Sequence, residues 1–65
     1  MRRLRFWEFQ WGRSQREMDY IAAENFNHAR QIAVEWIRQE RPDWLEVDES
    51  DIIAIKMTDY LVIVP

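Results

Sequence analysis

Residues 25–42 read Asn-Phe-Asn-His-Ala-Arg-Gln-Ile-Ala-Val-Glu-Trp-Ile-Arg-Gln-Glu-Arg-Pro, and this stretch decides the fold. Phe26, Ala29, Ile32, Ala33, Trp36 and Ile37 recur at three- and four-residue spacing, which is one apolar stripe of an α-helix. Asn27, His28, Arg30, Gln31, Glu35, Arg38 and Gln39 fall mostly on the opposite side. Asn25 is a good N-cap, because its side-chain oxygen accepts from free N–H groups of the first turn. Pro42 ends the helix by pushing the residue before it out of helical geometry. Arg38 and Arg41 sit near the C-terminus, where cations favour the helix dipole. Ala29 and Ala33 are small enough to let the helix lie close on a sheet, with Ile32, Trp36 and Ile37 filling the sides.

The sheet that such a stripe requires is sought on both sides of the helix. Upstream, residues 3–11 read Arg-Leu-Arg-Phe-Trp-Glu-Phe-Gln-Trp. Trp7, Phe9 and Trp11 point one way, while Leu4 and Phe6 point the other with Glu8 and Gln10. Aromatic content and approximate alternation predict a strand. Apolar groups on both sides predict either a bulge near Phe6–Trp7 or cover on both faces. Gly12-Arg13-Ser14-Gln15 supplies a turn, since Gly12 can take positive φ. Residues 16–23 follow as a second strand, hairpinned to the first, with Ile21 and Ala23 on one face and Met18 and Tyr20 on the other.

Downstream, residues 42–51 form an acidic connection in which Trp44, Leu45 and Val47 tuck back under the helix end. Ile52 to Val64 is rich in β-branched residues. Thr58-Asp59 reads as a tight turn between two strands. Tyr60-Leu61-Val62-Ile63-Val64, apolar throughout, reads as a central strand buried on both faces, or buried on one face by a partner. The expected fold is α+β, with order β-β-α-β-β, a single amphipathic helix packed on one face of a small, mainly antiparallel sheet of four strands. At 65 residues the chain is expected to be one domain spanning residues 1–65. Opening on Met1 and ending at Pro65, it is read as a complete short product.

At this size a hydrophobic core alone stabilises only modestly. There is no cysteine to form a disulfide, and His28 is the single histidine, so a zinc site of Cys/His type is excluded. Four Trp, three Phe and two Tyr make a dense apolar core or self-association the remaining aids. No apolar run approaches the ~20 residues of a membrane span, and the basic start lacks the apolar centre of a secretory signal. A cytoplasmic location is expected, without membrane contact. The net charge of −3 is unevenly spread. Arg2, Arg3, Arg5, Arg13 and Arg16 stand near the start, and Asp43, Glu46, Asp48, Glu49 and Asp51 crowd the connection. These two runs either face each other, form separate binding surfaces, or are simply solvated.

Catalysis finds little support. A nucleophile needs a base beside it, and nothing in the spacing brings Ser14 or Ser50 to His28, which is placed on the polar helix side. Asp48, Glu49 and Asp51 lie in a hydrophilic stretch, without the glycine and ligand spacing of a calcium loop. A phosphate-cradling loop needs more glycine than Gly12 alone. The chain is therefore expected to be no enzyme and to hold no cofactor or metal.

Two binding readings remain. Phe6, Met18, Tyr20, Val34, Trp44, Tyr60, Val62 and Val64 are hard to place on the face beneath one helix, which shelters only one side of a sheet. Leftover apolar groups mark an interface. The leading expectation is thus a small protein–protein interaction module, a regulator or inhibitor of a larger complex, that binds a protein partner and forms a homo-oligomer. Trp7, Trp11, Met18, Tyr20, Trp44 and Tyr60 are the candidate contact residues. By size and charge alone it would suit a phage-encoded or mobile-element regulator. The alternative is single-stranded nucleic-acid binding through Arg3, Arg5, Trp7, Phe9 and Trp11, in which rings stack on bases and cations hold phosphates. Against it stand the overall negative charge and the simpler reading of Trp7, Phe9 and Trp11 as the core face under the helix.

Overall fold

The computed structural model describes residues 2–65. Three strands, β1 (Arg2–Trp11), β2 (Glu17–Ala23) and β3 (Ile52–Val64), and one helix, α1 (Phe26–Glu40), follow in the order β1-β2-α1-β3. The strands form one antiparallel sheet with β1 at its centre, in the order β2-β1-β3. The helix packs on one face of it, as the apolar stripe predicts.

Strand register explains which residues the helix meets. Trp7 lies between Ile21 and Met57, Phe9 between Asp19 and Ile55, and Trp11 between Glu17 and Ile52. These rows face the helix, and Trp7, Phe9, Trp11, Ile21 and Ala23 are buried against Ala29, Ala33, Val34 and Ile37. The two alanines provide the close approach. Trp36 fills the side, with its ring edge-on to Phe9 and to Trp11 at 5.5 Å from each. Such pairs add about 0.5–1.5 kcal/mol each beyond area burial. Buried indole N–H groups need acceptors: Trp7 Nε1 donates to the Ala23 carbonyl at 3.1 Å, and Trp11 Nε1 to Asp19 Oδ2 at 2.9 Å.

The helix begins as Asn25 predicts. Asn25 Oδ1 accepts the His28 backbone N–H at 2.9 Å, and His28 Nδ1 accepts the Glu24 N–H at 3.1 Å, so two otherwise free donors are satisfied at the same end. The helix ends at Glu40, with the Arg41 N–H bonded to the Ile37 carbonyl just ahead of Pro42.

The C-terminal third corrects the expectation of two strands. Residues 52–64 run as one strand of 13 residues. Thr58-Asp59 is a bulge and not a turn: Arg5 pairs with Leu61 and Trp7 with Met57, so Phe6 alone faces Thr58, Asp59 and Tyr60. Thr58 Oγ1 donates to the Phe6 carbonyl at 2.8 Å and accepts the Tyr60 N–H at 3.2 Å, which holds the extra residues in place. The physical reason lies in β1, which is long. Continuing past the bulge lets Leu61–Val64 pair with Arg2–Arg5, backbone that a reversal at Thr58 would leave unpaired. The apolar run 60–64 is consequently an edge segment, and β1 takes the central place. The irregularity expected near Phe6–Trp7 falls there, on the opposite strand.

Candidate docking face

Even-numbered residues of β1 turn away from the helix. Phe6 lies in register with Ala22, Glu8 with Tyr20 and Lys56, and Gln10 with Met18 and Ala54. Phe6, Tyr20 and Tyr60 surround an open depression of about 410 Å³. No helix among the described residues covers this side. Met18 is 52%, Tyr20 54% and Tyr60 73% exposed, far above what a core aromatic or thioether side chain shows. The charged residues placed on the face by register include Glu8 and Lys56, directly opposed across the strands, where opposite signs attract. The face is thus apolar at one end and charge-balanced at its middle.

The candidate contact residues divide accordingly. Met18, Tyr20 and Tyr60 come together on this open face. Trp7 and Trp11 are corrected: both point beneath the helix, are buried, and offer a partner nothing. Trp44 is half-buried at the far end of the core, 5.7 Å from the Trp11 ring, with the Arg13 guanidinium 4.5 Å over its own ring. The nucleic-acid set divides in the same way. Arg3 and Arg5 are exposed, but Trp7, Phe9 and Trp11 are core residues and present no ring to a base. Phe6 is the residue the candidate set omits. Its signal was the alternation of β1, which opposes it to Trp7 and Phe9 and places it beside Tyr20.

The two charge runs meet at one point, Arg13 with Asp51. Arg13 Nε lies 2.8 Å from Asp51 Oδ1 and Nη2 lies 3.3 Å from Oδ2, while Nη2 also donates to the Leu45 carbonyl at 3.0 Å. Asp51 is buried, and its carboxylate further accepts the Asp48 N–H at 3.2 Å in a capping box around a single 3-10 turn, Glu49–Asp51. The side-chain bond from Arg13 holds the Asp51 carboxyl below the usual carboxylate value, against the opposing effect of burial, and the guanidinium is raised in return. Asp48 is also lowered, chiefly by its bonds from Ser50. Gly12 permits this joint: its φ of 139° is open to few other residues, and its N–H donates to the Asp51 carbonyl at 3.1 Å. Arg30 pairs with Glu49 at 2.8 Å and Arg38 bonds the Val47 carbonyl at 3.1 Å, so the acidic connection is tied to the helix as well. An open groove of about 770 Å³ runs beside it, lined by Gln31, Val34, Glu35, Arg38, Asp48, Glu49 and Ser50. Its charges of both signs are largely spoken for by these internal bonds, which makes it a structural seam.

Fold and face together define a small α+β domain with a three-stranded antiparallel sheet, helix-covered on one side and aromatic on the other. Comparison with family models, with curated proteins and with solved structures finds no match to this chain. No helix among the described residues is long and apolar enough to cross a membrane.

Proposed function

We propose that the protein is a non-enzymatic protein–protein interaction module of the cytoplasm, and that it regulates or inhibits a larger complex by docking its open sheet face on a partner. The observation that supports this reading is the exposed cluster of Phe6, Tyr20 and Tyr60, with Met18 beside it. Contiguous apolar surface is costly for a small protein to keep in water and usually marks a contact site. Tyr and Met are among the residue types enriched at protein interfaces, and aromatic rings seated in the middle of a patch carry most of the affinity. The opposed Glu8 and Lys56 set opposite signs side by side, which lessens the cost of drying that part of the face.

The test compares what immobilised protein retains from its host with what two variants retain. Tyr20→Glu places a charge in the middle of the face, and Arg16→Glu changes charge away from it. The reading predicts a binding species kept by the wild type and by Arg16→Glu and lost with Tyr20→Glu. Equal retention by Tyr20→Glu, with its circular dichroism unchanged, contradicts it.

A further inference from the structure

The sheet does not have the same number of strands along its length. Pairing of β1 with β2 runs from Trp11 only as far as Arg5, opposite Ala23, whereas pairing of β1 with β3 continues to Arg2, opposite Val64. Arg2–Leu4 and Val62–Val64 are therefore a two-stranded ribbon extending beyond the third strand. The helix does not shelter it. Leu61 and Ile63, on the helix side by register with Arg5 and Arg3, are 50% and 56% exposed. A two-stranded ribbon is marginal in water by itself, and the outer edge of β3 presents free N–H and C=O groups along an apolar segment.

Edge strands are normally blunted by charge, proline or bulges. Here β3 carries Lys56 and Asp59 and is bulged at Thr58–Tyr60, so its first half is protected. Tyr60–Val64 carries no charge at all, and Pro65 follows. We propose that this segment pairs edge to edge with the same segment of a second copy of the chain, antiparallel about a two-fold axis at Val62, so that the sheet continues through β3 into the partner's β3.

Charge and register select this occupant and this alignment. An antiparallel two-fold pairing sets residues on one sheet face opposite one another, so the axis must fall on a residue. Centred on Lys56 or on Asp59 it opposes like charges. Centred on Val62 it pairs Tyr60 with Val64 and Leu61 with Ile63, aromatic or branched side chains throughout, and leaves both charges outside the ladder. Such cross-strand pairs are the favourable kind. The other free edge of the ribbon, residues Arg2–Leu4 of β1, carries arginine at two of its three positions; Arg2 is paired with Glu24, and a pairing centred on Arg3 would set cation against cation. Pairing through β3 keeps the two β1 strands three spacings apart, about 14 Å at ~4.8 Å per strand, which exceeds the screening length of about 8–10 Å in physiological salt. The proposal concerns the edge and is independent of the docking face, which stays open on both copies.

The absence of cysteine makes the register directly measurable. Single variants Val62→Cys, Leu61→Cys and Tyr20→Cys are oxidised with diamide, and the dimer is followed on non-reducing gels. With the axis at Val62, the two Val62 β-carbons stand directly opposed at about 4.5–5.5 Å, while Leu61 meets its own copy only diagonally, at about 7–8 Å. Val62→Cys is expected to cross-link well ahead of the other two. In light scattering the wild type and Val62→Thr are expected at twice 8.1 kDa at high concentration, Val62→Lys at the monomer mass, and Tyr20→Glu still dimeric. The proposal is overturned if the wild type stays monomeric at millimolar concentration, if Val62→Cys is no faster than Leu61→Cys or Tyr20→Cys, or if Tyr20→Glu dissociates the dimer. Retention of the docking partner by Val62→Lys, and its loss by Tyr20→Glu, reports on the face separately.

Discussion

Alternate residues of one strand meet opposite fates. Trp7, Phe9 and Trp11 of β1 are enclosed beneath the helix, while Phe6, between two of them, lies on the surface beside Tyr20 and Tyr60. The residue types are alike, so chemistry alone does not separate them. What separates them is which side of the pleat receives α1, the one α-helix among the described residues. Aromatic content in a short sheet protein therefore says how much apolar surface exists, and the count of covering elements says how much is left over.

The sharpest way to break the comparison is to substitute on each side of the pleat. Trp11→Ala removes the ring that touches Trp36 and Trp44 and leaves a cavity, at a cost of about 3–5 kcal/mol. That is most of the stability a domain of this size has, so loss of the cooperative urea transition is the expected outcome. Gly12→Ala comes next. A β-carbon there would stand 1.9 Å from the Gln15 carbonyl oxygen, on backbone with φ at 139°, and about 1–3 kcal/mol or more is expected to be lost in thermal melts.

Asp51→Asn weakens the joint between the two charge runs, at an expected cost of about 1–2 kcal/mol. It also carries a pH signature. The folded carboxyl lies below its unfolded value because Arg13 bonds it. The unfolded chain thus takes up that proton at a higher pH than the folded one. The contribution of Asp51 is complete above about pH 5 and is lost as pH falls through the folded value. Urea titrations from pH 7 to pH 3 are expected to show a shallower fall for Asp51→Asn than for the wild type. The smallest effect is expected on the open side, where Tyr20→Glu, set opposite Glu8, changes stability by no more than about 1 kcal/mol. A large loss there would show that the face is internally required.

Much of this architecture was legible in the chain. The stripe Phe26–Ile37, the cap at Asn25 and the stop at Pro42 gave the helix, and β-branched and aromatic runs gave the strands. The hairpin of β1 with β2 was legible from the turn residues Gly12–Gln15, but the pairing of β3 was not. Thr58-Asp59 has the composition of a turn, and only the length of β1, with backbone at Arg2–Arg5 in need of a partner, makes the chain run straight through it. The candidate contacts show the same limit. Met18, Tyr20 and Tyr60 could not be fitted under a helix, and they stand exposed on the open face. Trp7 and Trp11 were read both as the core face under the helix and as candidate contacts, and their burial favours the first reading.

Hydroxyl-radical footprinting of the protein, free and bound to its retained partner, probes both sides of the sheet at once. In the free protein Met18, Tyr20 and Tyr60 are expected to oxidise readily and Trp7 and Trp11 slowly. In the complex the first three become protected and the two tryptophans do not change. Unaltered oxidation of Met18, Tyr20 and Tyr60 on binding, with protection appearing instead around Trp44 and Arg13, would contradict the assignment of the uncovered side as the docking surface.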